Sequence, residues 1–148
     1  MNNVLYLFIL LIGVSGYSQD KNLLEDPDYI KFEKESIELY TSKDYINYEN
    51  LKNKFSEMLP DNYVEKKFKE DFKSWITKNL DKSGFTSVEE AVSLDEAVTA
   101  SYKKIYPKQE ELNKIRITLI RVKKYDGDEF SKLFDERIIN KVWELRKS

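Results

Sequence analysis

Apolar residues recur at helical spacing along most of this chain. Between Asp61 and Leu80 an apolar stripe alternates with Lys and Glu, and its members are Val64, Phe68, Phe72, Trp75 and Ile76. Their spacing follows the 3.6-residue period of an amphipathic helix. Each large aromatic side chain buries about 150 to 250 Å² when packed. We therefore predict that this helix is the central element against which its neighbours dock.

The same period predicts two helices before this stretch. Asp26 followed by Pro27 is typical of a helix start, and the break at 41–44 ends that helix. The apolar positions of the first helix are Tyr29, Ile30, Phe32, Ile37 and Tyr40. A second helix is predicted from Tyr45 to Leu59, with Pro60 as its stop. The apolar positions of the second helix are Tyr48, Leu51, Phe55 and Met58. Asn62 and Glu65 then have the spacing of a capping box for the central helix.

Start and stop signals divide the second half of the chain. Gly84 suits the left-handed residue that ends a helix. Two further capping boxes, Ser87 with Glu90 and Ser93 with Glu96, predict a short helix over 88–92 and a longer one to Ile105. Pro107 is expected to begin the next segment. After the break at 126–128, a final amphipathic helix carries Phe130, Leu133, Phe134, Ile138, Val142 and Leu145.

Residues 115–122 fit two kinds of secondary structure. The stretch is rich in β-branched residues and partly alternates, as a strand does. Leu112, Ile115, Leu119 and Val122 also form a helical stripe. A single strand has no pairing partner elsewhere in this chain. We therefore favour a helix here and keep the strand as the alternative.

Composition supports an all-α fold. The 148 residues are 41% hydrophobic and 14% aromatic, which is enough for one core and too little length for two domains. Four Gly and three Pro are few for an all-β chain, which needs frequent turn residues. We predict one helical domain over residues 19–148, packed as an irregular bundle of about five or six helices.

The N-terminus has the pattern of a secretory signal peptide. Val4 to Val14 is an uncharged apolar run, and small residues at Gly16 and Ser18 precede the bond to Gln19. The run is shorter than the 20 or so residues that span a bilayer. The usual positive start is missing, since Met1, Asn2 and Asn3 are uncharged. We predict that residues 1–18 are a cleaved leader and that the mature chain is periplasmic or secreted, with an uncleaved anchor or a buried helix as alternatives.

Missing residue types exclude much of catalytic chemistry. The chain has no His and no Cys, so imidazole bases, thiolate nucleophiles and His or Cys metal ligands are absent. Carboxylates, Lys, Tyr and hydroxyls remain, and glycoside hydrolysis needs only two carboxylates. No acidic pair is singled out by spacing: Glu70 with Asp71, and Glu89 with Glu90, read as solvated helix faces. No catalytic, cofactor-binding or metal residue is assigned, and no cofactor is predicted.

Oxygen-bearing side chains alternate between Asn79 and Glu90. Asn79, Asp81, Ser83, Ser87 and Glu90 occupy positions 1, 3, 5, 9 and 12 of a twelve-residue loop with Gly84 at position 6. This resembles the calcium loop of the EF-hand family. The stretch departs from the family in having Asn at position 1 and Thr at position 8. A helix stop followed by a capping box accounts for the same residues.

A second resemblance lies at the first helix break. Leu39, Tyr40, Lys43, Asp44, Tyr45 and Tyr48, with Pro60 closing the next helix, resemble half of a tetratricopeptide repeat. That family's small residues are replaced here by Tyr48 and Phe55, and no second copy follows at the family's period. An ordinary helical hairpin explains the pattern as well.

Charge is uneven along the chain although its total is small. The net charge of −2 gives no reason to expect nucleic acid. Residues 25–71 contain 13 acidic and 8 basic side chains, whereas residues 103–124 contain 8 basic and 2 acidic ones. The basic stretch either meets an anionic surface or lies near the acidic first half in the folded protein. We expect the second arrangement.

Together these observations predict a non-enzymatic binding protein of the periplasm or cell envelope, whose partner is a protein or another envelope component. Contact with the membrane would be transient, through the leader alone. Two alternatives remain: a carboxylate-based hydrolase and a calcium-modulated helical module. The sequence leaves the oligomeric state open.

Overall fold

The described part of the chain is helical throughout. A computed structural model describes residues 22–60, 63 and 71–148, and no strand occurs in these ranges. Five helices follow one another, the last of them interrupted by a π-helical stretch. Their bounds are α1 Pro27–Thr41, α2 Lys43–Met58, α3 Phe72–Asn79, α4 Val88–Ile117, and a final helix made of α5 Gly127–Leu133, π-helical Phe134–Ile139 and α6 Asn140–Lys147. The predicted all-α class is confirmed for these residues, and the predicted leader over 1–18 lies outside them.

The central element is α4. With 30 residues it extends for about 45 Å, and α1, α2 and α3 all pack against it. The prediction that the helix over 61–80 would be central is therefore wrong. Asp71 has an extended backbone, and its carboxylate accepts the Ser74 amide at 2.8 Å, so α3 begins only at Phe72. Val64, Phe68 and the Asn62–Glu65 box lie outside the described residues.

Two predicted breaks inside α4 are also wrong. Ser87 caps the helix by accepting the Glu90 amide at 3.1 Å, as predicted, but the chain stays helical past Ser93 and Glu96 and through Pro107. An interior proline removes one helical hydrogen bond and costs about 3 kcal/mol. Buried Ile105 and Leu112 on either side of Pro107 hold the helix together there. Packing has overridden the local stop signal.

Residues 115–122 are helical, as we favoured. α4 passes without a break into a π-helical stretch, Thr118–Val122. Leu119 is fully buried in this stretch and Val122 is 71% exposed. A π turn shifts the register of the following side chains, which removes Val122 from the predicted apolar stripe.

Two hydrophobic clusters share α4. The larger one lies between α1, the C-terminal half of α4 and the final helix, and its buried members are Leu23, Tyr29, Phe32, Leu39, Ile105, Leu112, Leu119, Phe130, Ile138 and Val142. The smaller one joins α3 to the first turn of α4, and its buried members are Trp75, Ile76, Phe85 and Ala91. Trp75 is 5% exposed. The predicted burial of the α3 aromatic stripe is confirmed at Trp75.

The junction of α1 and α2 is tighter than predicted. Only Ser42 separates the two helices: it ends α1, and its hydroxyl accepts the Tyr45 amide to cap α2. On α1 the predicted apolar position Ile30 is 55% exposed, whereas Ser36 is fully buried. The buried face of α1 therefore includes Ser36 and does not include Ile30.

Gly84 allows two backbone segments to approach closely and does not adopt the left-handed conformation. No described glycine has a positive φ angle, so the predicted helix-end conformation is wrong. The Gly84 amide donates to the Met58 carbonyl at 2.8 Å. A Cβ added at Gly84 would lie 3.3 Å from the Met58 Cα, so a side chain here would push against the end of α2.

A buried carboxylate ties the start of α1 to the end of α4. Asp26 caps α1 by accepting the Asp28 amide at 2.9 Å, and its side chain is only 8% exposed. Lys123 donates to both Asp26 oxygens at 2.7 and 2.9 Å, and the Tyr125 hydroxyl donates to one of them at 2.9 Å. Lys123 also pairs with Asp28 at 2.8 Å. These bonds fix the turn in which Lys124 has a φ angle of 62°.

The basic stretch lies against the acidic first half, as predicted. Lys108 on α4 pairs with Glu35 on α1 at 2.7 Å, and Lys123 pairs with Asp26 and Asp28. The final helix makes a similar contact, since Arg137 pairs with Glu33 at 2.8 Å. Opposite charges from distant parts of the chain thus offset one another across α1.

We expect Asp26→Ala to destabilise the protein more than Asp126→Ala. Both aspartates cap helices through their side chains, so each variant loses a cap worth about 1 kcal/mol. Asp26→Ala also removes the charged hydrogen bonds from Lys123 and Tyr125, for a total loss of roughly 2 to 3 kcal/mol. Urea unfolding of both variants and the parent measures the difference, and equal losses would contradict this role of Asp26.

The same cluster should make stability fall in acid. Burial pushes the pKa of Asp26 upward, but hydrogen bonds from Lys123, the Asp28 amide and Tyr125 outweigh it and hold the pKa below the ordinary value of 3.8. Stabilisation from ionised Asp26 is therefore complete above the unfolded-state value and is lost as the pH falls through the folded-state value. We expect the measured unfolding free energy of the parent protein to lose this contribution between pH 6 and pH 2. The unfolding free energy of Asp26→Ala should lack the contribution throughout this range.

Candidate functional site

A cleft with an aromatic floor lies between α1, α4 and α5. Its volume is about 460 Å³. Its floor consists of six apolar or aromatic side chains: Phe32, Tyr40, Leu112, Ile120, Phe130 and Phe134. Its rim consists of five polar ones: Gln109, Asn113, Arg116, Ser131 and Asp135. We call this the aromatic cleft.

The sequence periodicity of α4 and α5 builds the two walls. Gln109, Leu112, Asn113 and Arg116 recur three and four residues apart, so they lie on one face of α4. Phe130 and Phe134 are four apart on the opposite wall, and each is followed by a polar residue. On both walls, apolar side chains therefore contribute to the floor of the cleft, and polar side chains lie toward the solvent.

Ring contacts join the side chains of the floor. Phe32 lies 5.1 Å from Phe130 and 6.1 Å from Phe134, measured between ring centroids, and Tyr40 lies 6.3 Å from Phe134 with the rings nearly perpendicular. Such tilted and edge-to-face pairs are favourable aromatic geometries. Phe32 and Phe130 are each 4% exposed, so the neighbouring helices hold these rings in place.

The rim carries one positive and one negative charge. The Arg116 guanidinium donates to the Asn113 side-chain oxygen at 2.9 Å. Burial raises the pKa of Tyr40, and the positive charge of Arg116 acts in the opposite direction. Gln109 and Asn113 add amide groups, which both donate and accept hydrogen bonds. The rim is thus suited to a neutral or mixed-charge ligand.

Paired carboxylates are not found in this cleft. Asp135 is the one acidic residue among its lining side chains. A hydrolase of the two-carboxylate kind needs a second carboxyl group nearby and a general acid with a raised pKa. Hydrogen bonds or ion pairs lower the pKa of four described carboxyl groups, namely Asp26, Asp71, Glu90 and Glu111. A lowered pKa opposes the role of a general acid for these four groups.

The residues that resemble a calcium loop serve helix ends. Asn79 donates its side-chain amide to the Trp75 carbonyl at 2.9 Å, and the Ser83 hydroxyl donates to the Leu80 carbonyl at 2.8 Å. Ser87 caps α4. The Glu90 carboxylate accepts the Thr86 amide and hydroxyl at 2.8 and 2.7 Å. Each of these four side chains thus makes a local hydrogen bond of its own.

The stretch that resembles a tetratricopeptide unit forms the α1–Ser42–α2 junction. Its large residues contact other helices through their rings. Tyr48 lies 5.5 Å from Tyr102 on α4, and Phe55 lies 5.2 Å from Phe72 on α3. These aromatic contacts occupy positions where the repeat family uses small residues.

Sequence reasoning found most of the cleft floor and missed its rim. Gln109, Asn113 and Arg116 were not singled out, whereas five floor residues were predicted as apolar helix-face positions: Phe32, Tyr40, Leu112, Phe130 and Phe134. The feature that could have identified the rim residues is the mixture of polar and apolar side chains on one face of α4. A fully buried helix face would be apolar throughout. The three segments that meet here are distant in sequence, so their meeting is a tertiary property.

Comparison with protein-family models, curated proteins and solved structures gives no match to this chain. In the part of the chain that the structure describes, no helix has the length and apolarity needed to span a membrane. Within the same residues, no cluster of three or more acidic side chains is placed to hold a metal ion.

We expect Ser87→Ala to lower the free energy of unfolding by about 1 kcal/mol, because it removes the cap of α4. The loss should be the same with and without millimolar calcium. Asp81→Ala is the matched control, since it changes the calcium-like pattern without removing the capping bond. Thermal unfolding of the three proteins measures this, and a calcium-dependent rise in Tm that disappears in Asp81→Ala would instead support a calcium-modulated module.

Proposed function

We propose that this chain is an exported, non-enzymatic binding protein, and that the aromatic cleft receives an apolar part of a partner protein. The observation that carries the proposal is the combination of an aromatic floor with a polar rim. The cleft volume of about 460 Å³ lies within the range of about 300 to 1,000 Å³ that binding pockets usually have.

A protein partner suits the rim better than a fully apolar ligand does. Side-chain amides of Gln109 and Asn113 match the alternating donors and acceptors of a peptide backbone. Aromatic side chains and arginine are also enriched where proteins bind each other. Tyr40 and Arg116 provide such groups at the floor and the rim.

Binding without catalysis is supported by the chemistry available. The chain has neither His nor Cys, and the cleft contains the single carboxylate of Asp135. Export is supported by the apolar run Val4 to Val14 followed by small residues before Gln19. The two parts of the proposal are independent and are tested separately.

We expect the mature protein to begin at Gln19. Expression of the full chain with a C-terminal tag, followed by cell fractionation and N-terminal sequencing, measures the start and the compartment together. Leu10→Arg interrupts the apolar run and should leave an uncleaved, unexported chain. A cytosolic protein that still carries residues 1–18 would refute the export proposal.

We expect a photo-reactive side chain in the aromatic cleft to label a specific partner. Benzoylphenylalanine at Asn113 places the probe on the cleft rim. The matched control places the same group at Lys34, in a depression on another face of α1 that is lined by Pro27, Ile30 and four charged side chains. Irradiation in the native cell should give a discrete adduct from position 113 and not from position 34.

Two outcomes decide that experiment. Mass spectrometry of the adduct from position 113 should identify a single protein cross-linked through an apolar segment. Equal labelling from both positions, or labelling of lipid or glycan in place of protein, would contradict the proposed partner class.

A further inference from the structure

A second cavity adjoins the aromatic cleft. Its volume is about 290 Å³, and it lies between the α1–α2 junction and the final helix. Tyr45, Val142 and Trp143 line it, together with Tyr40 and Phe134, which also line the aromatic cleft. The perpendicular Tyr40–Phe134 ring pair is thus the shared boundary of the two cavities.

One row of rings runs beneath both cavities. Successive ring centroids are 6.1 Å apart from Phe32 to Phe134, 6.3 Å from Phe134 to Tyr40 and 4.8 Å from Tyr40 to Tyr45. In an extended peptide, side chains two residues apart point to the same side and are separated by about 6.6 Å. The first two ring spacings are therefore close to the repeat of an extended chain, and the Tyr40–Tyr45 spacing is shorter.

Several contacts hold the outer wall of the second cavity in place. The Arg146 guanidinium donates to the Tyr40 carbonyl at the end of α1 and pairs with Glu49 at 2.6 Å. It also lies 5.7 Å from the Tyr45 ring centroid. Trp143 beside it is 58% exposed. A fixed wall with an exposed indole is a common composition for an interface anchor.

The charges on the rim of the aromatic cleft favour some classes of ligand over others. Arg116 and Asp135 make no salt bridge to another described residue, whereas Arg146 is held by Glu49. A ligand lying in the cleft can therefore pair an acidic group with Arg116 and a basic group with Asp135. A peptide offers both signs of charge, while an acyl chain offers at most a terminal carboxylate. Five polar side chains among the eleven that line the cleft also disfavour an acyl chain.

We propose that the two cavities are subsites of one groove that binds an extended peptide segment of the partner protein. One apolar side chain of the peptide enters each cavity, on either side of the Tyr40–Phe134 pair, and an acidic residue faces Arg116. This inference rests on the proposed function and specifies the ligand of the same site.

Selection from a display library of random twelve-residue peptides on the purified protein tests the proposal. Enriched peptides should contain two apolar residues at a fixed short separation with an acidic residue nearby. Their affinity is then measured by titration calorimetry on three folded variants, each checked by circular dichroism. Asn113→Trp fills the aromatic cleft, Trp143→Ala removes a wall of the second cavity, and Lys34→Trp adds the same indole elsewhere.

We expect Asn113→Trp and Trp143→Ala each to weaken binding by about tenfold or more, while Lys34→Trp leaves it unchanged. Replacing the second apolar residue of the peptide by Ala should weaken binding to the parent and have little further effect on Trp143→Ala. Arg116→Glu should weaken binding, and exchanging the acidic residue of the peptide for Lys should restore it.

The alternative results separate the two proposals. Peptides that respond to Asn113→Trp but not to Trp143→Ala would overturn the two-subsite groove and leave the binding function standing. A selection that enriches no peptide, or peptides equally bound by Asn113→Trp, would overturn both. Binding of dodecanoic acid in the groove, without peptide binding, would overturn the peptide as ligand.

Discussion

Burial of aromatic rings against α4 is the interaction on which this structure depends. Without disulfides or a described metal cluster, apolar packing is the main source of stability. The long helix contributes Ala91 to one cluster and Ile105 and Leu112 to the other, and the π-helical stretch that continues it adds Leu119. A shorter helix could serve only one of them. The tolerance of Pro107 follows from this, because ending α4 there would detach Leu112 and Leu119 from the core.

Charge pairing favours one position of α1 against α4 and the final helix. Lys108 and Lys123 meet acids from α1 and its cap, and Arg137 meets Glu33. The more exposed of these pairs, Arg137 with Glu33, contributes little stability by itself. Their effect is to favour one arrangement of the helices, since a displaced α1 would leave Asp26 buried without its lysine.

The candidate site is a consequence of this arrangement. α1 supplies Phe32 and Tyr40 as a floor because α4 and the final helix are held on either side of it. The rings are fixed by burial, while the polar residues of the same helix faces remain at the rim. An aromatic floor with side-chain amides above it is suited to recognition.

The sequence by itself determined the helical class and the caps at Asp26 and Ser87, because these depend on contacts a few residues apart; the periodic apolar stripe also indicated which face of α3 carries the buried Trp75. It also determined which reactive groups are absent. The tertiary structure decided that α4 passes through Pro107, that Ile30 faces solvent, and that Gly84 meets Met58. Each of these outcomes depends on energies of packing between distant segments, which outweigh local start and stop signals worth about 1 to 3 kcal/mol. The aromatic cleft belongs to the same class, since its walls come from three helices that only the fold brings together.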